Sequence, residues 1–294
     1  MYDTHAHLDL FLHQNGFWPN LREEEPVELL SVENHNLEDY AINFGIEEQS
    51  FLEEHIENHD WIIQPTVSSF NFLQSWKLIA NPKIYLLLGS HPEIVQKDFD
   101  LQHYLNFQNL VLQFINSKPE LKTKLVGIGE CGLDYFYSQE PNIIQTQKDL
   151  FESQIKLAIQ LSLPLIIHCR EAFEDLFVIL KKYPEIHGKF LIHCFTGNAN
   201  DADQIIKLQG KMAIGGIVTF NSAKDLSEAV EKNDINNFVV ETDLPFLAPN
   251  PFRGKICEPK MIEHSLRKLA LLNNMSFETA LEQTKFNAEK FFNI

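Results

Sequence analysis

The chain has 294 residues, of which 44% are hydrophobic and 22% charged, and its formal net charge is −17. No stretch approaches the roughly 20 apolar residues that span a bilayer, and no basic, apolar leader precedes the first histidines, so we expect a cytoplasmic protein with no membrane partner. The four cysteines show no CxxC spacing, which excludes the usual sequence pattern of a cysteine-based zinc site.

The negative charge is concentrated in one stretch. Residues 22–60 contain 13 acidic residues and one basic residue, Arg22. Between residues 250 and 268 the balance is reversed, with five basic and two acidic residues. Because the acidity is local, the net charge does not exclude a polyanionic substrate such as a nucleic acid.

The first element is a short strand that ends in a pair of histidines. His5 and His7 are two residues apart in Met1-Tyr-Asp-Thr-His-Ala-His-Leu-Asp9. Side chains at positions i and i+2 of a strand point to the same side, so both imidazoles should converge on one point. A His-x-His pair is common, and it indicates a metal site only together with other ligands.

Residues 10–50 show little periodicity and are rich in Glu and Asn. We predict that they form an acidic insertion, or a long loop. Because it follows the first strand directly after His7, it should start at the edge of the fold that carries the two histidines. Within it, apolar side chains are expected to pack on the rest of the protein, namely those of Phe17, Trp18, Leu29, Leu30 and Phe44.

From residue 47 onward, short apolar runs alternate with helical patterns. The predicted strands cover residues 61–67, 84–88, 124–129, 163–167, 189–192, 211–217 and 237–241. The predicted helices cover residues 47–58, 70–80, 101–115, 143–161, 172–182, 199–208, 223–232, 259–272 and 276–292. With the strand before His5, eight strands alternate with helices, which predicts an α/β fold of the (β/α)8 barrel type, with residues 1–294 in one domain.

Residues of ligand type stand where four of these strands end: Glu130, His168, His193 and Asp243. Barrel enzymes carry their sites at the C-terminal ends of the strands, and only a closed barrel makes the first and last strands neighbours. Together with His5 and His7, these residues predict a site for one or two divalent ions. Imidazole suits zinc and carboxylate suits magnesium or manganese, so the metal stays open among Mg, Mn and Zn.

Two catalytic roles follow from this arrangement. Glu130 is the candidate to bridge two ions, and Asp243 could bind one ion and accept the proton of the attacking water. On the same rim, His91 at the end of the third strand is expected to touch either substrate or metal. Arg253 presents a planar donor fork that suits phosphate, and Arg170 could join it. Cys131, Cys169 and Cys194 each directly follow a proposed ligand and are expected to point away from the metal as small buried hydrophobes.

Six segments together resemble the TatD family of metal-dependent deoxyribonucleases. They are Asp3-Thr-His-Ala-His-Leu-Asp9, Gly-Ser-His91-Pro, Gly127-Ile-Gly-Glu-Cys-Gly-Leu-Asp134-Tyr, Ile-His168-Cys-Arg170, His193-Cys-Phe-Thr-Gly197 and Glu241-Thr-Asp-Leu-Pro-Phe-Leu247. The resemblance implies a TIM-type barrel that cleaves phosphodiester bonds in DNA through metal-activated water. It also implies a set of metal ligands, which are His5, His7, Glu130, His168, His193 and Asp243, and it places His91 and Arg253 near the substrate phosphate.

The chain departs from the family pattern at three places. Only two residues precede Asp3, where the family usually has two or three more. Cys257 stands where an Asn is usual, and Glu93 stands where the third-strand motif usually has a second histidine. The last two lie in substrate loops, so they bear on substrate preference and not on the metal site.

Three functions remain open at this point. The leading one is a metal-dependent deoxyribonuclease, which we expect to be a monomer that acts on DNA. We expect the acidic insertion to favour single strands or ends over a long duplex, through charge repulsion that is screened over roughly 8–10 Å. The alternatives are an amidohydrolase or esterase that acts on a small molecule or on aminoacyl-tRNA, and a catalytically silent barrel that serves as a binding module.

Overall fold

The computed structural model of the protein describes residues 1–19 and 36–294. Within these residues, eight parallel strands form one sheet in the order in which they occur along the chain. The strands are β1 (Tyr2–Asp3), β2 (Trp61–Gln64), β3 (Ile84–Leu88), β4 (Leu125–Asp134), β5 (Leu165–Arg170), β6 (Phe190–Ile192), β7 (Lys211–Ile214) and β8 (Phe238–Val240).

The last strand of the sheet lies beside the first. The Thr4 amide donates a hydrogen bond to the Val240 carbonyl at 3.3 Å, and the Asp243 amide donates to the His5 carbonyl at 2.9 Å. These bonds join the end of β8 and the segment that follows it to the segment after β1, and they close the barrel. The predicted (β/α)8 barrel is therefore confirmed.

Helices connect the strands and cover the outside of the barrel. They are α1 (Leu8–Gln14), α2 (Ile46–Ile56), α3 (Ser69–Ser75), α4 (Leu101–Ser117), α5 (Pro119–Lys124), α6 (Pro141–Leu161), α7 (Phe173–Leu180), α8 (Ala199–Lys207), α9 (Lys224–Lys232), α10 (Ile262–Leu272) and α11 (Phe277–Phe292). In α6 the buried stripe includes Leu150, Ile155 and Ala158, at the spacing that places side chains on one helix face. Among the described residues, no helix combines the length and the apolar character that crossing a bilayer requires.

The helix α1 corrects the prediction of irregular structure from residue 10. Leu8, Leu10, Phe11 and Leu12 are all buried in this helix, and Asp9 is buried beside them. A short helix that is buried nearly all round shows no apolar stripe, so the periodicity gave no signal. Any insertion on the catalytic rim therefore begins beyond α1.

Residues 20–35 of the predicted acidic insertion, including Leu29 and Leu30, lie outside the described residues, and the structure of that part stays a prediction. On either side of that gap, Trp18 and Phe44 are buried, with ring centroids 6.3 Å apart. Phe17 is partly buried against the same core. The prediction that these three aromatic side chains pack on the barrel is confirmed.

Two central strands extend further than predicted. β4 continues past Gly129 through Glu130 to Asp134, and β5 continues through His168 to Arg170. The two strands pair in parallel up to their last residues, where Asp134 lies opposite Arg170. The glycines in this part of β4 weaken its apolar pattern, because glycine has low strand propensity. As a result, side chains after the predicted strand ends are also held in fixed positions on the rim.

A buried histidine outside the rim makes the stability depend on pH. His59, between α2 and β2, is 3% exposed. Burial, assisted by the positive charges of the chain N-terminus and Lys83 and opposed by Asp60, lowers the pKa of His59 to about 4 from an ordinary value near 6.5. Between pH 6.5 and pH 4, His59 therefore binds a proton in the unfolded chain but not in the folded chain.

We expect His59 to contribute a loss of stability as the pH falls from 6.5 to 4, amounting to about 3 kcal/mol at most. The variant His59→Asn carries no titrating group there, so its free energy of unfolding should change less between pH 7 and pH 4.5. Urea denaturation of both proteins across this range measures the difference. Parallel pH profiles for the two proteins would contradict this assignment.

Candidate metal centre

The residues predicted to form the site lie together at the C-terminal ends of the strands. His5 and His7 follow β1, His91 follows β3, Glu130 and His168 lie within β4 and β5, and His193 and Asp243 follow β6 and β8. All of them are buried except His168, whose side chain is 17% exposed.

Glu130 lies at the centre, and its Oε2 atom faces the histidines of the first strand. This oxygen is 3.2 Å from His5 Nε2 and 3.6 Å from His7 Nε2. Asp243 Oδ1 lies on the same side, 3.6 Å from His7 Nε2 and 3.9 Å from His5 Nε2. The ends of β1 and β8 thus supply two imidazoles and one carboxylate next to one oxygen of Glu130.

The other carboxylate oxygen of Glu130 faces a different set of imidazoles. Its Oε1 atom is 3.3 Å from His91 Nε2, 2.9 Å from His168 Nδ1 and 2.9 Å from His193 Nε2. His91 therefore lies inside the cluster, in a position that the sequence left open between substrate and metal. The two oxygens of one carboxylate divide the surrounding imidazoles into two groups.

The two carboxyl groups of the cluster have opposite pKa shifts. Burial alone would raise the pKa of Glu130, but the imidazoles of His193, His91 and His168 outweigh it, and that pKa lies well below its ordinary value. Burial raises the pKa of Asp243 to about 8; the charge of Glu130 adds to this effect, while His193 opposes it. Glu130 is thus a permanent anion, whereas Asp243 can carry a proton near neutral pH.

The donor set fits divalent metal. Among the described residues, three overlapping groups have donor atoms that all lie within 4.8 Å of one another: His5, His193 and Asp243; His5, His7 and Glu130; and His91, Glu130 and His168. His5 and Glu130 each belong to two of these groups. Neutral imidazoles with carboxylates are ligands for Zn, Mn and related ions, and shared ligands suit two ions close together.

A model of the family described as TatD related DNase matches residues 2–293 of this chain. The match covers nearly the whole barrel and every residue of the cluster. The chain belongs to the TatD family.

Relatives of this TatD chain are named as metal-dependent hydrolases. YabD of Bacillus subtilis, an uncharacterized metal-dependent hydrolase, is 42% identical over 171 residues, which are 58% of this chain and 66% of that protein. An uncharacterized metal-dependent hydrolase of Buchnera aphidicola is 30% identical over 99% of this chain and 96% of its own length. The human 3'-5' RNA nuclease TATDN2 is 32% identical over 58% of this chain, but only 23% of that protein is covered.

Solved structures of TatD proteins share the fold. The crystal structure of YjjV, a TatD homolog from Escherichia coli, matches 100% of this chain and 98% of that chain with a TM-score of 0.77 at 23% identity. A TatD family hydrolase from Entamoeba histolytica matches 99% of this chain and 97% of that chain with a TM-score of 0.72 at 19% identity. At these identities the likeness supports the barrel fold alone.

In this TatD chain, two further carboxylates touch the histidines of the cluster. Asp134 Oδ2 lies 2.9 Å from His168 Nε2, and buried Glu241 lies 3.5 Å from His193 Nδ1. Carboxylates in such positions fix the orientation of a ligating imidazole. The sequence analysis gave neither residue a role. Strand alternation could have found Asp134, which is four residues after Glu130 within β4. Glu241 and Asp243 both lie beyond the end of β8, so no strand periodicity links them.

The predicted phosphate-binding arginines lie on aromatic rings near the rim. Arg253 Cζ is 4.5 Å from the ring centre of Phe220, in the segment after β7, and Arg170 Cζ is 3.6 Å from the ring centre of Phe136. Cys131 and Cys169 are buried, as predicted, and burial raises the pKa of both thiols, so neither is a ready nucleophile. Cys194 is only partly buried, which corrects the prediction for this residue, because β6 ends at Ile192 and strand alternation does not extend to position 194.

Proposed function

We propose that this TatD protein is a metal-dependent deoxyribonuclease that hydrolyses phosphodiester bonds in single strands or at strand ends. One observation carries the proposal: the two oxygens of Glu130 face different imidazoles of one cluster, a donor arrangement suited to two adjacent divalent ions. When bound, such ions polarise a phosphoryl oxygen and lower the pKa of water, which is the chemistry that phosphodiester cleavage needs.

The side chains of the cluster have distinct roles in this proposal. Glu130 holds the two halves of the site at a fixed spacing as a permanent anion. His5, His7, His168 and His193 supply the remaining ligands, and Asp134 and Glu241 orient two of them. Asp243, whose Oδ1 lies 3.6 Å from His7 Nε2, would help to hold an ion and accept the proton of the attacking water.

Two residues are proposed to act on the substrate side. His91 Nε2 is 3.3 Å from Glu130 Oε1, and its ring contacts that of His168 edge to face, with centroids 4.4 Å apart, so it lies beside the proposed ligand His168. Arg253 is exposed and held over Phe220, which leaves the edge of its guanidinium to donate to a phosphate oxygen. We propose that Arg253 binds the phosphate next to the one being cleaved.

RNA is a second candidate substrate, because one relative with 32% identity is named an RNA nuclease. The same cluster would serve both substrates, since the phosphodiester is common to them. Amides and esters form the third class to be compared, because metal clusters of this type also polarise carbonyl oxygens.

The experiment that tests the proposal begins with protein stripped of metal by a chelator. The protein is restored with Mg²⁺, Mn²⁺ or Zn²⁺ singly and assayed on single-stranded DNA, duplex DNA, single-stranded RNA and a panel of amides and esters. We expect cleavage of single-stranded DNA only after a metal is restored, and an approximately tenfold rise in KM for Arg253→Ala. Turnover of amides or esters without cleavage of any nucleic acid would overturn the proposal.

A further inference from the structure

Two large aromatic side chains are exposed on the rim next to the metal cluster. Phe136 is 50% exposed and Tyr137 is 65% exposed, and both lie directly beyond the end of β4. Large aromatic residues normally bury their rings, because the rings contribute to stability by leaving water. Two such rings exposed side by side at a site therefore point to a ligand that covers them.

An arginine from the neighbouring strand lies against both rings and adds a positive charge to the surface that they form. Arg170 ends β5, and its Cζ lies 3.6 Å from the ring centre of Phe136 and 5.2 Å from that of Tyr137. Its Nη1 donates a hydrogen bond to the Tyr137 hydroxyl at 3.4 Å. The two rings meet edge to face, with centroids 5.0 Å apart and planes at 88°. These contacts leave much of the Tyr137 ring open to a ligand, beside a fixed positive charge.

The position of this surface is tied to the metal cluster through one carboxylate. Asp134 Oδ1 accepts a hydrogen bond from the Phe136 amide at 2.9 Å, and its Oδ2 lies 2.9 Å from His168 Nε2. The aromatic turn and the proposed metal ligand His168 are thus held by the two oxygens of the same side chain. His168 is also the most exposed residue of the cluster, so the mouth of the site opens beside this turn.

We infer that Tyr137, Phe136 and Arg170 form a stacking surface for an unpaired nucleobase of the strand whose phosphodiester lies at the cluster. The inference rests on the proposed nuclease function and names the substrate group that the rim recognises. Bases stack on aromatic rings and guanidinium planes without regard to sequence, and the charge of Arg170 attracts the adjoining phosphate. Bases paired within a duplex are not free to stack there, which favours single strands.

The test compares a single-stranded oligodeoxynucleotide with a strand of equal length in which tetrahydrofuran spacers replace the nucleosides. The ratio of kcat/KM for these two substrates is measured for the wild type, Tyr137→Ala, Tyr137→Phe and Phe286→Ala. Phe286 is the matched control, since it is 58% exposed on α11, which is outside the rim. A second readout needs no cleavage: quenching of 2-aminopurine fluorescence in a strand bound to the metal-free protein.

We expect Tyr137→Ala to lower the preference for the base-containing strand about tenfold and to weaken the quenching. Tyr137→Phe and Phe286→Ala should keep both at the wild-type level. Equal ratios for the wild type and Tyr137→Ala would overturn the inference and leave the nuclease function standing. Quenching that depends on Tyr137 in a protein that cleaves no nucleic acid would support the stacking surface and reject the proposed function.

Discussion

Replacing Glu130 with alanine should lower kcat/KM for phosphodiester cleavage by at least about a thousandfold while the barrel stays folded. The reason is the central position of this carboxylate. Its Oε2 atom faces His5 and His7, and its Oε1 atom faces His91, His168 and His193. Its loss removes the shared ligand and the negative charge that offsets the positive charge of the metal ions. The metal content of the purified protein, measured by mass spectrometry, should therefore fall together with activity.

Two further variants show whether the loss belongs to the charge at this position. Glu130→Gln keeps the shape but removes the charge, so it should lose nearly as much activity as the alanine variant. Glu278→Ala removes an exposed carboxylate from the first turn of α11 and should match the wild type. Circular dichroism checks that all three proteins are folded. Near-normal turnover of Glu130→Ala at saturating magnesium would show that Glu130 does not hold the metal.

Gly89→Ala should destabilise the protein by about 3 kcal/mol or more, because the added methyl group would overlap with backbone atoms of β4. A Cβ atom at position 89 would lie 2.0 Å from the carbonyl carbon of Gly129 and 2.3 Å from the amide nitrogen of Glu130. Both are backbone atoms of β4, so the strand itself would have to move. Since Glu130 is part of that strand, metal affinity should weaken as well as stability.

Gly254→Ala is the control for this prediction. Gly254 has a φ of +87°, but nothing lies within 4 Å of the position its Cβ would take. Alanine there costs only the strain of the left-handed conformation, about 1–2 kcal/mol. Thermal denaturation of the three proteins measures the difference, and Gly89→Ala should have the lowest Tm. A higher Tm for Gly89→Ala than for Gly254→Ala would refute the packing argument.

The barrel and most of the cluster could be predicted from the amino-acid sequence. Apolar runs that alternate with helical patterns are local signals, and parallel strands joined by helices have few ways to close. Once the barrel is given, the residue at the C-terminal end of each strand lies at the same rim. For this reason Glu130, His168, His193 and Asp243 could be assigned to one site from the sequence. His5 and His7 then follow from the adjacency of the first and last strands, which the structure confirms in the hydrogen bonds after β8.

The contacts among these residues could not be predicted, because they depend on how the whole chain folds. Which oxygen of Glu130 faces His7 and which faces His193 depends on distances between side chains that are over 60 residues apart in the chain, and no local pattern encodes them. The same holds for Asp134, whose two oxygens join His168 to the aromatic turn. The helix α1 was not predicted, for a related reason. Its burial on nearly every side comes from neighbours brought in by the fold, so its own sequence carries no amphipathic signal.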